Sequence, residues 1–229
     1  MPRKTFLNRH TKASPPDEAV AAKYLLHWHT GDLYRSLEKF PTLTSKALFG
    51  NDHPLEIEIG CGTGEFLCGL AAERPISNFL GLDINLKSLF VGVEIARSAS
   101  LENIKFIKAP VQYLYPLMPQ DSLQAIYMHF PDPLLRPKYR KRKVLNEVFL
   151  AHLSRTLQPG GLFSIVTDNV ELFEDVLALV EESPYFRKTH TERYLTGFEP
   201  HAKSRYQLYW EAHDKPIFRL ELESVKRET

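Results

Sequence analysis

The sequence predicts an α/β protein built on a doubly wound, mostly parallel sheet. From Leu55 onward, short apolar runs alternate with longer stretches of helical periodicity. This alternation is typical of βαβ units, in which helices cover both faces of a parallel sheet. A glycine-rich turn directly follows the first apolar run, where such folds bind ligands. Near the end, residues 217–223 alternate apolar and charged side chains, which predicts a half-exposed antiparallel edge strand.

The elements of this sheet can be placed in order along the chain. A short helix over residues 19–27 is expected before the sheet begins. Apolar runs and helical periodicity then predict strands at 55–59, 78–82, 104–107, 123–128 and 162–166, and helices at 65–72, 86–98, 140–157 and 170–181. A short helical stretch should follow the third strand. The segment Pro159-Gly160-Gly161 marks a break before the fifth strand.

Composition limits the classes of function. A chain of 229 residues, 43% hydrophobic and 25% charged, has the composition of a globular protein with a sizeable core. Its formal net charge of +1 means that any binding of nucleic acid must depend on local basic clusters. Residues 1–17 are polar and rich in basic side chains, which predicts a flexible tail that is either idle or an arm touching nucleic acid. Residues 18–229 are expected to form one domain.

The cellular setting is also suggested by residue usage. Cys61 and Cys68 are too few for a disulfide framework and fit a reducing cytoplasm. The first residues lack the apolar core of a secretory signal, and no apolar run of about 18 residues predicts a membrane span. His27 and His29 have no third ligand candidate, so no metal site is expected. The oligomeric state stays open between a monomer and a homodimer.

The glycine-rich turn runs from Glu58 through Gly60, Gly62 and Gly64. Glycines allow a sharp turn and let a ligand approach the backbone closely, so these residues are predicted to contact a cofactor. A dinucleotide fingerprint would need a third glycine at Glu65, and the lysine of a P-loop is missing from the turn. The carboxylate of Glu58 would repel a pyrophosphate and suits a cationic ligand. S-adenosylmethionine, with a sulfonium and an ammonium group, is such a ligand.

A second acid lies about twenty residues beyond the turn. Asp83 follows the second predicted strand, where a carboxylate can accept hydrogen bonds from ribose hydroxyls. The alternative is that Asp83 caps the following helix, because aspartate is a preferred N-cap residue. We favour ribose binding because of the position of Asp83 at a strand end.

A third acid lies in the segment Phe130-Pro131-Asp132-Pro133, after the fourth strand. The two prolines should hold Asp132 in an extended turn beside the ligand crevice. Residues 136–143 then contain six basic side chains in eight. A charge run usually marks a solvated face, but this one is dense and close to the crevice. We therefore predict phosphate contacts from Lys138, Arg140, Lys141, Arg142 and Lys143.

Together, the glycine turn and its two acids resemble a class I S-adenosylmethionine-dependent methyltransferase. The FPDP segment with its basic run, and Thr167-Asp168 after the fifth strand, resemble more particularly the bacterial tRNA (guanine-N(7)-)-methyltransferase family. The resemblance extends from Leu55 to Glu223. It implies a Rossmann-like fold and methyl transfer from S-adenosylmethionine to N(7) of a guanine in the variable loop of tRNA. S-adenosylhomocysteine would be the product.

The resemblance also implies roles for particular residues. The cofactor contacts of the family fall on Glu58, Asp83 and Asp132, and a fourth falls near Pro110. Asp132 matches the catalytic aspartate, and Arg136 and Asp168 match substrate-binding positions. The last substrate motif of the family, T-K-[FY]-E, is matched by the segment that lies at the usual distance before the final strand, Ser204-Arg205-Tyr206-Gln207. Thr196-Gly197-Phe198-Glu199 matches more letters but lies at the wrong distance, so we prefer 204–207.

Three features depart from the pattern of the family. Leu134 stands where a tryptophan is usual, Pro110 stands where an acid is usual, and the 204–207 motif is altered, although its residues are conservative replacements. Substrate identity is affected more than cofactor binding. Two alternatives therefore stay open: a methyltransferase of another RNA, a protein or a small molecule, and an RNA-binding protein with reduced or lost catalysis.

Overall fold

The computed structural model describes residues 13–132 and 145–225. Most of the predicted tail lies outside these ranges. The same is true of Leu134 and of the predicted substrate and phosphate contacts Arg136, Lys138, Arg140, Lys141, Arg142 and Lys143.

A nine-stranded sheet runs through the described chain, in the order β1-β4-β3-β2-β5-β6-β9-β7, with β8 also paired to β9. The strands are β1 (Leu25–Leu26), β2 (Leu55–Ile59), β3 (Asn78–Asp83), β4 (Ile104–Lys108), β5 (Leu123–His129), β6 (Leu157–Thr167), β7 (Phe186–Lys188), β8 (Leu195–Thr196) and β9 (Phe218–Ser224). Strands β1 to β6 are parallel to one another, and β9 runs antiparallel to β6, β7 and β8. The predicted mostly parallel α/β sheet is confirmed.

Helices cover both faces of this sheet. They are α1 (Glu18–Tyr24), α2 (Thr30–Arg35), α3 (Ser45–Phe49), α4 (Glu65–Glu73), α5 (Leu86–Ser98), α6 (Glu147–Thr156), α7 (Val170–Glu181) and α8 (Arg205–Glu211), with 3-10 turns at Leu37–Lys39, Val111–Tyr113 and Tyr115–Leu117. One buried apolar cluster joins the sheet to α6 and α7, and a second joins its opposite face to α1, α4 and α5. Asn85 and Asn169 start α5 and α7 by accepting backbone N–H groups, and both helices have their predicted bounds.

The helix predicted over residues 65–72 ends one residue later, at Glu73, and two other predicted helices differ by several residues. The helix predicted over residues 19–27 ends at Tyr24, and the next two residues form β1 beside Phe106 and Ile107 of β4. The pairing with the sheet overrides the local helical periodicity. The helix predicted from residue 140 begins at Glu147, because Asn146 is extended and caps it by accepting the N–H of Phe149 at 2.9 Å.

The last two strands also differ from their predicted arrangement. The final strand is antiparallel, as predicted, but it is not at the edge, since β7 and β8 pair with its outer side. The predicted break at residues 159–161 lies within the bounds of β6 as a bulge. Leu157 pairs with Leu123 and Leu162 pairs with Ala125, so that four residues lie opposite one.

A close approach of three elements supports the sheet beside the glycine-rich turn. The ring of Phe106 on β4 is fully buried and occupies the space beside three glycines. A Cβ atom would lie 3.0 Å from this ring at Gly64, 2.7 Å at Gly81 and 2.8 Å at Gly92. These glycines lie before α4, on β3 and on α5, so their missing side chains let both helices approach the sheet.

Among the described residues, no helix combines the length and the apolar character of a membrane span.

This packing predicts an unusual response to a helix substitution. Alanine in place of a mid-helix glycine normally stabilises a helix by about 1 kcal/mol. We expect Gly92→Ala to lower the free energy of unfolding instead, by about 1–3 kcal/mol, because the new methyl group meets the Phe106 ring. Urea unfolding checks this. The loss should shrink when Phe106→Leu is already present, and a Gly92→Ala protein more stable than the wild type would contradict the packing.

Candidate functional site

The predicted acidic residues lie at one edge of the sheet, because β2 to β6 are parallel. Glu58 is the penultimate residue of β2, and Asp83 is the last residue of β3. Pro110 follows the end of β4 by two residues, and Asp132 follows the end of β5 by three. Asp168 comes directly after β6. The carboxyl ends of parallel strands are where open α/β sheets bind ligands.

The glycine-rich turn is held in a left-handed conformation. Gly60, Gly62 and Gly64 have φ angles of 79°, 58° and 75°, a region that favours glycine. The N–H groups of Gly60 and Cys61 both donate to the carbonyl oxygen of Leu82, at 2.7 and 3.0 Å. The turn is therefore anchored to the end of β3 before α4 begins.

Asp83 fixes the same turn through its side chain. Its Oδ2 accepts the N–H of Gly62 at 2.9 Å, and its Oδ1 accepts the N–H of Asn85 at 2.8 Å. Asn85, rather than Asp83, caps α5 by accepting the N–H groups of Lys87 and Ser88. The alternative interpretation of Asp83 as the N-cap is therefore wrong. Each carboxylate oxygen can still accept a further hydrogen bond, so the residue can also receive ribose hydroxyls.

The charges near the turn suit a cation. Glu58 is only 3% exposed and lies near the thiol of Cys68. Burial, with added repulsion from Glu58 and Glu65, raises the pKa of Cys68 to about 12, so this thiol stays protonated. A pyrophosphate would be repelled by the same carboxylates, whereas a sulfonium or ammonium group would be attracted. The acids and the glycine cradle fit S-adenosylmethionine.

A strained residue, which the sequence analysis missed, lies just before Pro131 and Asp132. Phe130 has a φ of 48°, in the left-handed region, and its N–H donates to the carbonyl oxygen of Val166 at 2.6 Å. Its ring is buried with Tyr206 and Ile217. Strain of this kind costs about 1–3 kcal/mol and is often found at functional sites. The turn ends β5 and leaves Asp132 partly exposed at the edge of the sheet.

The 204–207 segment lies against the glycine-rich turn. Ser204 caps α8 by accepting the N–H of Gln207 at 3.2 Å. Arg205 pairs with Glu65 at 2.9 Å, and a Cβ atom on Gly62 would lie 3.8 Å from the ring of Tyr206. The amide of Gln207 is directed inward.

The buried side-chain amide of Gln207 donates two hydrogen bonds within the protein. Gln207 Nε2 donates to the carbonyl oxygen of Phe198 and to Glu211 Oε1, the latter at 2.8 Å. The alternative motif lies beside this segment: Thr196 belongs to β8, and the Phe198 ring packs on Phe66, with centroids 5.9 Å apart, and on the cluster that contains Tyr206. In the described parts of the chain, no group of three or more His, Cys, Asp or Glu residues could hold a metal ion.

The fold is that of the class I methyltransferases. A solved structure of an antibiotic-related methyltransferase matches it with a TM-score of 0.59 at 18% identity, covering 80% of this chain and 95% of that one. Residues 52–220 match the protein family described as "Putative methyltransferase".

Two relatives of known name identify the family within the class I methyltransferases to which the chain belongs. The tRNA (guanine-N(7)-)-methyltransferase of Rubrobacter xylanophilus is 46% identical over 211 residues, which cover 92% of this chain and 95% of that one. The enzyme of the same name from Chloroherpeton thalassium is 38% identical over 91% of this chain and 92% of its own. The chain belongs to the tRNA (guanine-N(7)-)-methyltransferase family.

A buried histidine supports the segment that carries Asp132. His129 is 6% exposed, and its Nε2 lies 3.2 Å from Ser164 Oγ. The rings of Phe66 and Phe198 pack on it, at centroid distances of 4.5 and 4.9 Å. Burial, with a smaller contribution from Arg219, lowers the pKa of His129 to about 3.

This histidine should make stability depend on pH. In the unfolded chain His129 takes up a proton below about pH 6.5, whereas in the native protein it stays neutral to about pH 3. Its contribution is therefore intact above pH 6.5 and is lost as the pH falls, by roughly 1 kcal/mol for each pH unit. Urea unfolding at pH 7.5 and 5.5 should show a larger loss for the wild type than for His129→Gln. Equal losses in the two proteins would contradict the buried neutral state.

Proposed function

We propose that this protein transfers the methyl group of S-adenosylmethionine to N(7) of a guanine in the variable loop of tRNA. The observation that carries the proposal is the 46% identity, over 92% of the chain, with a tRNA (guanine-N(7)-)-methyltransferase. The position of Glu58, Asp83 and Asp132 at one sheet edge supports it, since these acids match the cofactor positions of the family. A tRNA substrate also favours a cytoplasmic location.

The chain supplies a cofactor cradle from the ends of two strands. Glu58 would attract the cationic groups of the cofactor, and Asp83 would accept hydrogen bonds from its ribose while holding the N–H of Gly62. Gly60 and Gly62 let the ligand approach the backbone. Pro110 provides an apolar surface at the end of β4 in place of the usual acid. When bound, S-adenosylmethionine supplies a methyl group activated by its sulfonium.

Guanine N(7) has a free lone pair, so its methylation needs no prior removal of a proton. The protein has to orient the base, an effect that can contribute about 7–11 kcal/mol. Asp132, partly exposed at the edge, is proposed to accept hydrogen bonds from the guanine N–H edge, which fixes the base and raises the electron density of its ring. Asp168 and the first turn of α8 are proposed to hold the base from the other side.

The RNA backbone must be held while the base leaves its stack, which costs a few kcal/mol. Arg136 and the five predicted phosphate contacts at Lys138, Arg140, Lys141, Arg142 and Lys143 are proposed to offset this cost. These residues lie outside the described ranges, so their proposed role derives from the sequence alone.

The proposed function predicts a specific product. Incubation of the purified protein with methyl-labelled S-adenosylmethionine and tRNA lacking the modification should yield labelled 7-methylguanosine on nucleoside analysis. The same tRNA with adenosine in place of the target guanosine should stay unlabelled. Label in another nucleoside would replace the proposed target, and no label despite cofactor binding would refute the proposed activity.

The role of Asp132 can be separated from cofactor binding. Asp132→Asn should lower kcat by about 100-fold, because the amide no longer accepts both N–H groups of the base and the reacting atoms are misplaced. Affinity for S-adenosylhomocysteine should fall much less than kcat, because the asparagine amide keeps one hydrogen-bond acceptor for the cofactor. Asp52→Asn is the matched control, because it makes the same change at an exposed residue near the amino-terminal end of β2, away from the carboxyl ends of the strands. Wild-type kcat in Asp132→Asn would rule out the assigned role.

A further inference from the structure

The segment that precedes α8 is docked tightly on α4. A Cβ atom on Gly69 would collide with the Cβ of Ala202, so the two backbones approach as closely as a glycine allows. One turn earlier on α4, the ring of Phe66 packs on that of Phe198. Because α4 begins at the glycine-rich turn, these contacts tie the position of residues 198–205 to that of the turn.

An ion pair completes this docking at the start of both helices. Arg205 Nε donates to Glu65 Oε1 at 2.9 Å, and Thr63 Oγ1 donates to both carboxylate oxygens of Glu65 at 2.7 Å. The side chains of Glu65 and Arg205 are 23% and 31% exposed. A partly buried, charge-assisted hydrogen bond is stronger and more directional than an exposed ion pair. The first turn of α8 is thereby fixed to the first turn of α4, although the paired residues are 140 positions apart.

The ion pair between Glu65 and Arg205 fixes the position of the next residue of α8, Tyr206. Tyr206 is 9% exposed, and its ring lies beside Gly62 of the glycine-rich turn. Burial, with added repulsion from Asp83, raises the pKa of its hydroxyl to about 12, and Asp132 adds to this effect. The neutral phenol thus lies within the electrostatic reach of both the proposed ribose-binding acid and the proposed catalytic acid.

We propose that Glu65 is a positioning residue, which holds Arg205 and so places Tyr206 between the cofactor cradle and the substrate base. The inference rests on the proposed function. In this arrangement Arg205 serves the substrate through its pair with Glu65 rather than by direct contact with an RNA phosphate. A direct phosphate contact predicts the opposite response, since removal of the charge on Glu65 would release Arg205 and leave or improve the use of RNA.

A double-mutant cycle distinguishes the two arrangements. The proteins are the wild type, Glu65→Gln, Arg205→Met, the double variant and Arg205→Lys. Glu199→Gln is the matched control. It removes a carboxylate from the docked segment 198–205, but at an exposed residue that pairs with Lys203 instead of Arg205. For each protein, kcat and KM for unmodified tRNA are measured with labelled S-adenosylmethionine. Affinity for S-adenosylhomocysteine is measured by calorimetry, and backbone amide exchange is measured over residues 205–211.

We expect Glu65→Gln and Arg205→Met each to lower kcat/KM for tRNA by about tenfold, since small misplacements of positioning groups are costly. The double variant should be no worse than the poorer single variant, because both changes break one interaction. Arg205→Lys should retain most of the activity. Amide exchange over 205–211 should be faster in Glu65→Gln, and affinity for S-adenosylhomocysteine should stay close to that of the wild type. Glu199→Gln should match the wild type throughout.

Three results would overturn the proposal. In the first, Glu65→Gln has the kcat/KM of the wild type. In the second, the losses of the two single variants multiply in the double variant. In the third, the loss of kcat/KM is matched by a loss of S-adenosylhomocysteine affinity, which would make Glu65 a cofactor ligand. If the wild type itself forms no 7-methylguanosine, the proposed function fails, and the exchange measurement still tests the docking.

Discussion

The site depends on hydrogen bonds between the glycine-rich turn and the end of the neighbouring strand. Gly60 and Cys61 donate to the carbonyl oxygen of Leu82, and Gly62 donates to the carboxylate of Asp83. Buried backbone N–H groups must be satisfied, and these bonds do so in a left-handed turn that has no regular partners. They also set the point at which α4 begins. Everything docked on α4, including the C-terminal segment, takes its position from this turn.

The packing behind the turn is equally restrictive. The Phe106 ring fills the space that Gly64, Gly81 and Gly92 leave open, so the glycines there serve helix packing as well as ligand approach. Gly64 illustrates the difference, because its missing Cβ faces Phe106, whereas that of Gly62 faces Tyr206. A single glycine pattern in the sequence thus has two physical purposes, which only the contacts separate.

Charge distinguishes this site from nucleotide sites of similar topology. Glu58 and Asp83 are buried at the carboxyl ends of adjacent strands, and Glu65 begins the helix where a dinucleotide fold has a glycine. Such a concentration of carboxylates favours a cationic cofactor over a phosphate-bearing one. The proposed RNA phosphate contacts lie in a separate stretch of the sequence after β5, so we propose that different parts of the chain attract the cofactor and the nucleic acid.

The sequence by itself determined the order of strands and helices, the glycine-rich turn and the acids at the strand ends, because these depend on local periodicity and on glycine conformation. Only the tertiary structure decided that Leu25 and Leu26 form a strand and that β9 is covered on its outer side, since sheet pairing overrides local preference. The left-handed conformation of Phe130 and the ion pair between Arg205 and Glu65 also could not be predicted from the sequence. Both depend on contacts between distant residues, which no local pattern encodes.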